Sequence, residues 1–271
     1  MKKGIEIDVA RIIAEKSGKR LPAWIARLVQ RLIHEDEIND ILRNYGHLQG
    51  LDFLRALLQD FGTTVTWRHA ERLPQDGRAI FVSNHPLGAI DGIGITYLLA
   101  EHYGQVQYLV NDMLYYLQPL QSVFLPVNTY GKQKKENIER IQKVLASDVP
   151  VGTFPAGWCS RYRDGKVQDQ DWKQSFVNMA ITHQRDVVPL HFVGQNSRHF
   201  YLIDRLRKAL GIKFDICTAL LPDEMFRAKG KHFEVIVGEP IRWQDLAEEA
   251  GRAQEKAAHI RAISYGLAHE G

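Results

Sequence analysis

Two side chains that can exchange a proton stand six positions apart in the stretch Asn84-His85-Pro86-Leu87-Gly88-Ala89-Ile90-Asp91-Gly92. An apolar strand-like run, Ala79 to Ser83, precedes them, and an apolar helix-like run, Ile93 to Ala100, follows. His85 and Asp91 therefore fall at a strand-to-helix connection, where α/β proteins keep much of their chemistry. Pro86 and Gly88 keep the intervening backbone out of helix and free to turn. The aspartate can then fold back onto the imidazole while lying near the first helical turn, where a carboxylate is favoured. A carboxylate accepting from one ring nitrogen fixes the tautomer and leaves the other nitrogen to take a proton. This is the pattern of a general base. The same two residues also suit a loop histidine beside a helix cap.

A second polar cluster, Phe154-Pro155-Ala156-Gly157-Trp158-Cys159-Ser160-Arg161, follows the apolar run Val149 to Phe154. The elements that must position both clusters alternate along the chain. Strand-like segments are 64–68, 78–83, 106–110, 149–154, 187–193, 213–220 and 233–238, and helix-like segments are 92–103, 134–146, 175–184 and 243–268. Such alternation predicts an α/β fold with a central mixed sheet flanked by helices on both faces. Two helical runs, 22–34 and 51–61, predict an N-terminal helical hairpin. The expected organisation is an N-terminal helical segment over 1–62, an α/β domain over 63–245 and a C-terminal helix over 246–271.

Together the two clusters resemble the signature blocks of the glycerolipid acyltransferases, the 1-acylglycerol-3-phosphate acyltransferase superfamily. Its first block reads Asn-His, four residues, Asp, and its third reads Phe-Pro-Glu-Gly-Thr-Arg-Ser-Arg. Phe124-Leu125-Pro126-Val127-Asn128 sits where the family has a substrate segment, Val187-Val188-Pro189-Leu190-His191-Phe192 resembles its fourth block, and Val237-Gly238-Glu239-Pro240-Ile241 resembles its closing strand and turn. Four departures stand out. His85 and Asp91 have five residues between them, Ala156 replaces the third block's Glu, and Cys159 replaces its first Arg. At the second block the usual Arg is Asn128, followed by Lys132, Lys134 and Lys135. Losing arginines weakens a bidentate phosphate clamp. The pattern resembles most closely the bacterial lyso-aminolipid (lyso-ornithine or lyso-glycine lipid) O-acyltransferases, which acylate the hydroxyl of an N-acylated amino acid.

The resemblance implies transfer of a fatty acyl group from an acyl thioester, carried by acyl carrier protein or coenzyme A, to the hydroxyl of a lysolipid acceptor, either a lyso-aminolipid or 1-acylglycerol-3-phosphate. His85 would take the hydroxyl proton and Asp91 would orient the ring, with Asn84, Gly88, Asn128, Lys132, Gly157, Trp158, Ser160, Arg161 and Arg163 around the substrates. Backbone N–H groups near Gly88, Gly157 and Trp158 would face the oxyanion. No metal or resident cofactor is expected, because a thioester is already activated. A lipid- or partner-binding protein without turnover is the alternative that the altered third block permits. A hydrolase is a weaker third reading, because no Gly-x-Ser-x-Gly elbow is present. Cys159 fits a small packing residue better than a nucleophile. His183, His191 and His199 recur at a spacing that suits neither a helix face nor a compact zinc site.

With 271 residues, 45% of them apolar and 25% charged, the chain can bury an ordinary core. A formal charge of +3 gives no reason to expect a nucleic-acid partner. Two cysteines and a Met1-Lys2-Lys3 start with no secretory leader point to the cytosol, and no apolar run is long enough to span a bilayer. A membrane-facing element is nevertheless present in outline. In the run 22–34, Trp24, Ile25, Leu28, Val29 and Leu32 share one face, opposite Arg27, Gln30 and Arg31. Such a helix can lie in an anionic membrane interface or pack on the catalytic domain. The first of these gives peripheral association with the inner face of the membrane.

Overall fold

The computed structural model describes residues 6–18, 22–111, 114, 117–127, 135–211 and 216–270. Four helices open the chain, α1 (Val9–Ser17), α2 (Ala23–Leu32), α3 (Glu35–Tyr45) and α4 (Gly50–Asp60). There follow β1 (Thr64–Arg68), β2 (Ala79–Ser83), α5 (Ile90–Tyr103), β3 (Gln107–Asn111), β4 (Phe124–Val127), α6 (Lys135–Leu145) and β5 (Val151–Thr153). A short hairpin, β6 (Arg161–Arg163) and β7 (Lys166–Gln168), leads to α7 (Ser175–His183), β8 (Asp186–Val193) and α8 (Arg198–Ala209). The chain closes with α9 (Ile216–Ala219), α10 (Leu221–Phe226), β9 (His232–Val237), α11 (Trp243–Glu248) and α12 (Ala253–Gly266).

Seven strands form one sheet in the order β1-β9-β8-β2-β5-β3-β4. Every neighbouring pair is parallel except β8 with β9, so the sheet is mixed, as expected from the alternation. Central β2 is buried along its whole length, and its side chains alternate between two cores. Ala79 and Phe81 join a core with Val188, Leu190, Phe192 and α5, while Ile80 and Val82 join one with Leu145, Trp172, Phe176 and Ile260. A strand covered on both faces needs apolar residues at every position, which is why its sequence reads as a run. The N-terminal segment comprises α1 and α3 besides the two foreseen helices. Ile41, Leu42, Phe53, Leu54, Leu57 and Leu58 from α3 and α4 are buried in the first core.

Two local expectations are corrected. Residues 216–219 are helical, not part of a strand over 213–220, and residues 212–215 lie outside the described residues. The single helix expected over 243–268 is two. Gly251, at φ +113, turns the chain between them, and reciprocal bonds between Arg252 and Glu255 start α12. No helix among the described residues is long and apolar enough to cross a membrane.

Arg185 locks the end of the sheet opposite the site, where β2, β5 and β8 begin. It is fully buried and donates to the carbonyls of Leu145 at 2.9 Å, Val149 at 2.8 Å, Val144 at 3.2 Å and Ala79 at 3.3 Å, and to that of Ser147. Burial lowers its pKa to about 10, which leaves it charged at neutral pH. Arg185→Met keeps the volume and strands these acceptors, so urea unfolding should show a loss of roughly 3 kcal/mol.

Candidate active site

The chain leaves β2 at Ser83, beside β8 and β5, at the carboxyl ends of these parallel strands. Open α/β sheets form their ligand crevices at such ends. Asn84 fastens the exit: its side-chain amide donates to the Phe192 carbonyl at 3.0 Å and accepts from the Phe192 N–H at 2.7 Å. The loop then turns through Gly88, at φ +81, where a Cβ would lie 2.6 Å from a Leu221 methyl and 3.2 Å from Cys159 Cβ. Only glycine fits both the angle and the space.

Asp91, in the first turn of α5, is fully buried, and its Oδ2 lies 3.0 Å from His85 Nδ1. The same oxygen accepts from the N–H groups of Leu87 at 2.8 Å and Gly88 at 3.2 Å, and Oδ1 accepts from Gly92 at 2.9 Å. Burial pushes the Asp91 carboxyl upward, but the charge and hydrogen bond of His85 and the two loop amides outweigh it, so the group sits below its ordinary value. An ionised carboxylate only accepts, so His85 Nδ1 must carry the proton in that bond. In a neutral ring, Nε2 is then the basic nitrogen.

An aromatic wall fixes the imidazole plane. Phe154 stacks on His85 with centroids 3.8 Å apart and 18° between planes, and buried Tyr108 leans on Phe154 at 5.1 Å. Gly152 makes room for that tyrosine, since a Cβ there would fall 2.2 Å from its ring.

Behind the histidine lies a second buried carboxylate that sequence reasoning missed. Asp169 Oδ1 accepts from the His85 backbone N–H at 3.2 Å and the Ser160 hydroxyl at 2.6 Å, and Oδ2 accepts from Trp172 Nε1 at 2.9 Å. Its own N–H donates to the Tyr265 hydroxyl at 2.7 Å, and Arg261 donates to its carbonyl at 2.7 Å, which ties α12 to the site. Burial raises the Asp169 carboxyl above its ordinary value, against the pull of Ser160, Trp172 and His85. Its partners come from four separate stretches of chain, so no local signal marks it.

The remaining expected residues divide into four groups. Ser160 also joins the histidine loop through its own amide, which donates to the His85 carbonyl at 2.7 Å. The Gly157 amide is engaged by the Phe154 carbonyl at 3.0 Å, and that of Gly88 by Asp91, so these two donors are used inside the protein. Arg161 is buried, stacks over Phe200 at 4.7 Å, faces Asp204 at 3.7 Å and donates to the carbonyl and sulfur of Cys159. Arg163 is exposed on β6. Trp158, Arg161 and Arg163 line a cavity of about 130 Å³ that also takes in Asp204, Arg207 and Lys208 of α8. The last two cations were not foreseen. Lys208 and Arg207 lie 2.6 and 3.0 Å from Asp204, and with Arg161 they hold its carboxyl below the ordinary value although burial acts the other way. A larger cavity of about 510 Å³, beside Trp172 and Arg252, contains none of the expected residues. Asn128, Lys132 and Lys134 lie outside the described residues.

These elements match a known class of protein. The chain belongs to the acyltransferase family, whose model matches residues 11–270. It is similar to the lyso-glycine lipid O-acyltransferase of Phocaeicola vulgatus, with 40% identity over 265 residues, 96% of this chain and 95% of that one. The lyso-glycine lipid O-acyltransferase of Bacteroides thetaiotaomicron is likewise 40% identical, over 96% of this chain and 97% of its own. The solved structure of the 1-acyl-sn-glycerophosphate (LPA) acyltransferase PlsC from Thermotoga maritima is similar with a TM-score of 0.45 and 16% identity, over 96% of this chain and 88% of that one. The protein is an acyltransferase of lipid biosynthesis.

The lowered Asp91 pKa has a consequence for stability. A carboxyl whose pKa falls on folding adds stability that is complete above its unfolded value, about 3.9, and is lost as pH drops through the lower folded value. Asp91→Asn should therefore cost most at neutral pH, and its stability gap from wild type should close as the pH drops below about 4. Urea unfolding across a pH series measures the gap; one that stays constant means that Asp91 is not ionised in the native state.

Proposed function

We propose that this acyltransferase moves a fatty acyl group from an acyl thioester, on acyl carrier protein or coenzyme A, to the hydroxyl of a lyso-aminolipid, with His85 as general base. The observation that carries the reading is the buried Asp91 carboxylate on His85 Nδ1, which leaves Nε2 as the basic nitrogen of the neutral ring. His85 Nε2 takes the hydroxyl proton as the oxygen attacks the thioester carbonyl. Collapse of the tetrahedral intermediate breaks the C–S bond and leaves an ester. The departing thiolate takes the proton back from the imidazolium, which Asp91 stabilises in the interval. A positioned base contributes about 10²–10⁴-fold, and alignment of the two substrates and charge stabilisation supply the rest.

The acceptor class rests on the similarity to the lyso-glycine lipid enzymes and on the basic cavity. An N-acylated glycine presents one carboxylate. The cavity offers four cations, Arg161, Arg163, Arg207 and Lys208, against the single carboxylate of Asp204, which three of them already approach. That net positive lining suits an anionic headgroup. Exposed Trp24 and Leu28 on α2, beside Arg27 and Arg31, support peripheral association with the inner face of the membrane.

His85→Ala should stay folded and lose about 10²–10⁴-fold in turnover, read as acyl transfer from a thioester to purified lyso-glycine lipid. Wild-type turnover in that variant would remove His85 as the base. Lipid mass spectrometry of a host expressing each form identifies the acceptor: diacylated amino-acid lipid is the expected gain, and a gain of phosphatidate-derived lipid overturns the acceptor reading. Arg163→Ala should raise KM for the lysolipid roughly tenfold with kcat unchanged, because a headgroup contact acts equally on ground and transition states.

A further inference from the structure

We propose that α8 is a membrane-docking helix that seats the catalytic domain on an anionic lipid surface. Its inner face is made by Phe200, Tyr201 and Asp204, all buried. Its outer face carries Leu202, Leu206 and Leu210, which are 52, 53 and 73% exposed. Residues spaced by four along a helix fall within an arc of about 80° over this span, so the three leucines form one stripe. A helix on a water-covered face would carry polar residues there.

Charge identifies what covers the stripe. Between residues 198 and 211 the one acidic side chain is Asp204, which is buried among Arg161, Arg207 and Lys208. Arg198, Arg205 and Lys208 are exposed, and the Arg205 guanidinium lies 5.6 Å over the ring of half-exposed Tyr162. Leucines bordered by arginines, lysine and a tyrosine match an interface of acyl chains beneath anionic headgroups. A second copy of the chain would bring this basic rim against itself, which disfavours that occupant.

The rest of the fold places the helix where a lipid enzyme needs it. On its inner side Arg207 and Lys208 wall the cavity beside Trp158. At its start, Glu224 of α10 accepts from the Ser197 amide at 2.7 Å and hydroxyl at 2.5 Å, and Asp223 of the same helix holds His34, the N-cap of α3 that follows α2, at 3.1 Å. One short helix therefore anchors both exposed apolar patches. The inference rests on the reading that the acceptor is a membrane lipid.

The test is flotation of the full-length protein with vesicles of phosphatidylcholine containing phosphatidylglycerol, comparing wild type with the triple variant Leu202→Gln, Leu206→Gln, Leu210→Gln. These positions are exposed, and circular dichroism confirms that the variant folds. The variant should partition about tenfold more weakly or worse. It should also lose turnover on vesicle-borne acceptor while matching wild type on detergent-dispersed acceptor. Equal flotation of both proteins overturns the proposal and moves docking elsewhere, as does a wild-type dimer in light scattering that the variant converts to monomer. Inactivity of both proteins in detergent would instead count against the acyltransfer reading, and flotation would still decide the docking one.

Discussion

The site depends on a negative charge held without water. Asp91 is buried to zero exposure at the start of α5, where an isolated carboxylate would be costly. Three backbone amides and one imidazole make it tolerable. Each of these imposes a constraint. The amides of Leu87 and Gly88 reach the carboxylate only if the loop reverses direction at Gly88, and the imidazole reaches it only if β2 ends at Ser83. The His85 ring is thus positioned by the needs of a carboxylate six residues away, and a change at either end propagates to the other.

Holding the ring flat is a separate problem, solved by packing. Phe154 lies on the imidazole because β5 runs parallel to β2 in register, with Val82 opposite Thr153. Tyr108 backs Phe154 because Gly152 leaves the space. Asp169 then fixes the backbone of His85 from behind and draws Ser160, Trp172 and Tyr265 to one point. Through Tyr265 and Arg261 the last long helix becomes part of the site's support, although it carries none of the residues read as functional from sequence.

What could be read from the chain follows from which interactions are local. Strands β2, β5, β8 and β9 were legible because sheet burial dictates apolar runs, and edge strand β1 by its alternation of Thr64, Val65 and Thr66. His85 and Asp91 were legible because their bond spans one loop. Asp169 was not, since its meaning lies in partners as distant as Tyr265. Helix α8 was not, because Leu202, Leu206 and Leu210 add an outward apolar stripe to an inward one and blur its period. Arg161 shows how far a block's position can be from its packing. Its position in the third block suggests an anion clamp, and the fold buries it against Asp204 and Phe200 while it still lines the cavity beside Trp158. The segment 213–220 read as a strand because its apolar residues alternate, and helical α9 shows tertiary context overriding that signal.

Two of the departures from the family's blocks meet in space. Gly88, in the lengthened loop, packs so near Leu221 and Cys159 that a Cβ there would lie 2.6 Å from the first and 3.2 Å from the second. An arginine at position 159 would put a long charged side chain where the loop now packs, whereas cysteine fits. Ala156 is fully buried in the core that holds Trp172, where a glutamate would add a buried acid without the donors that Asp169 has. Removing that acid and that base together leaves the pocket's charge to residues contributed by β6 and α8. The cations lining the cavity beside Trp158 thus come from β6 and α8, and α8 is also the element that exposes Leu202, Leu206 and Leu210.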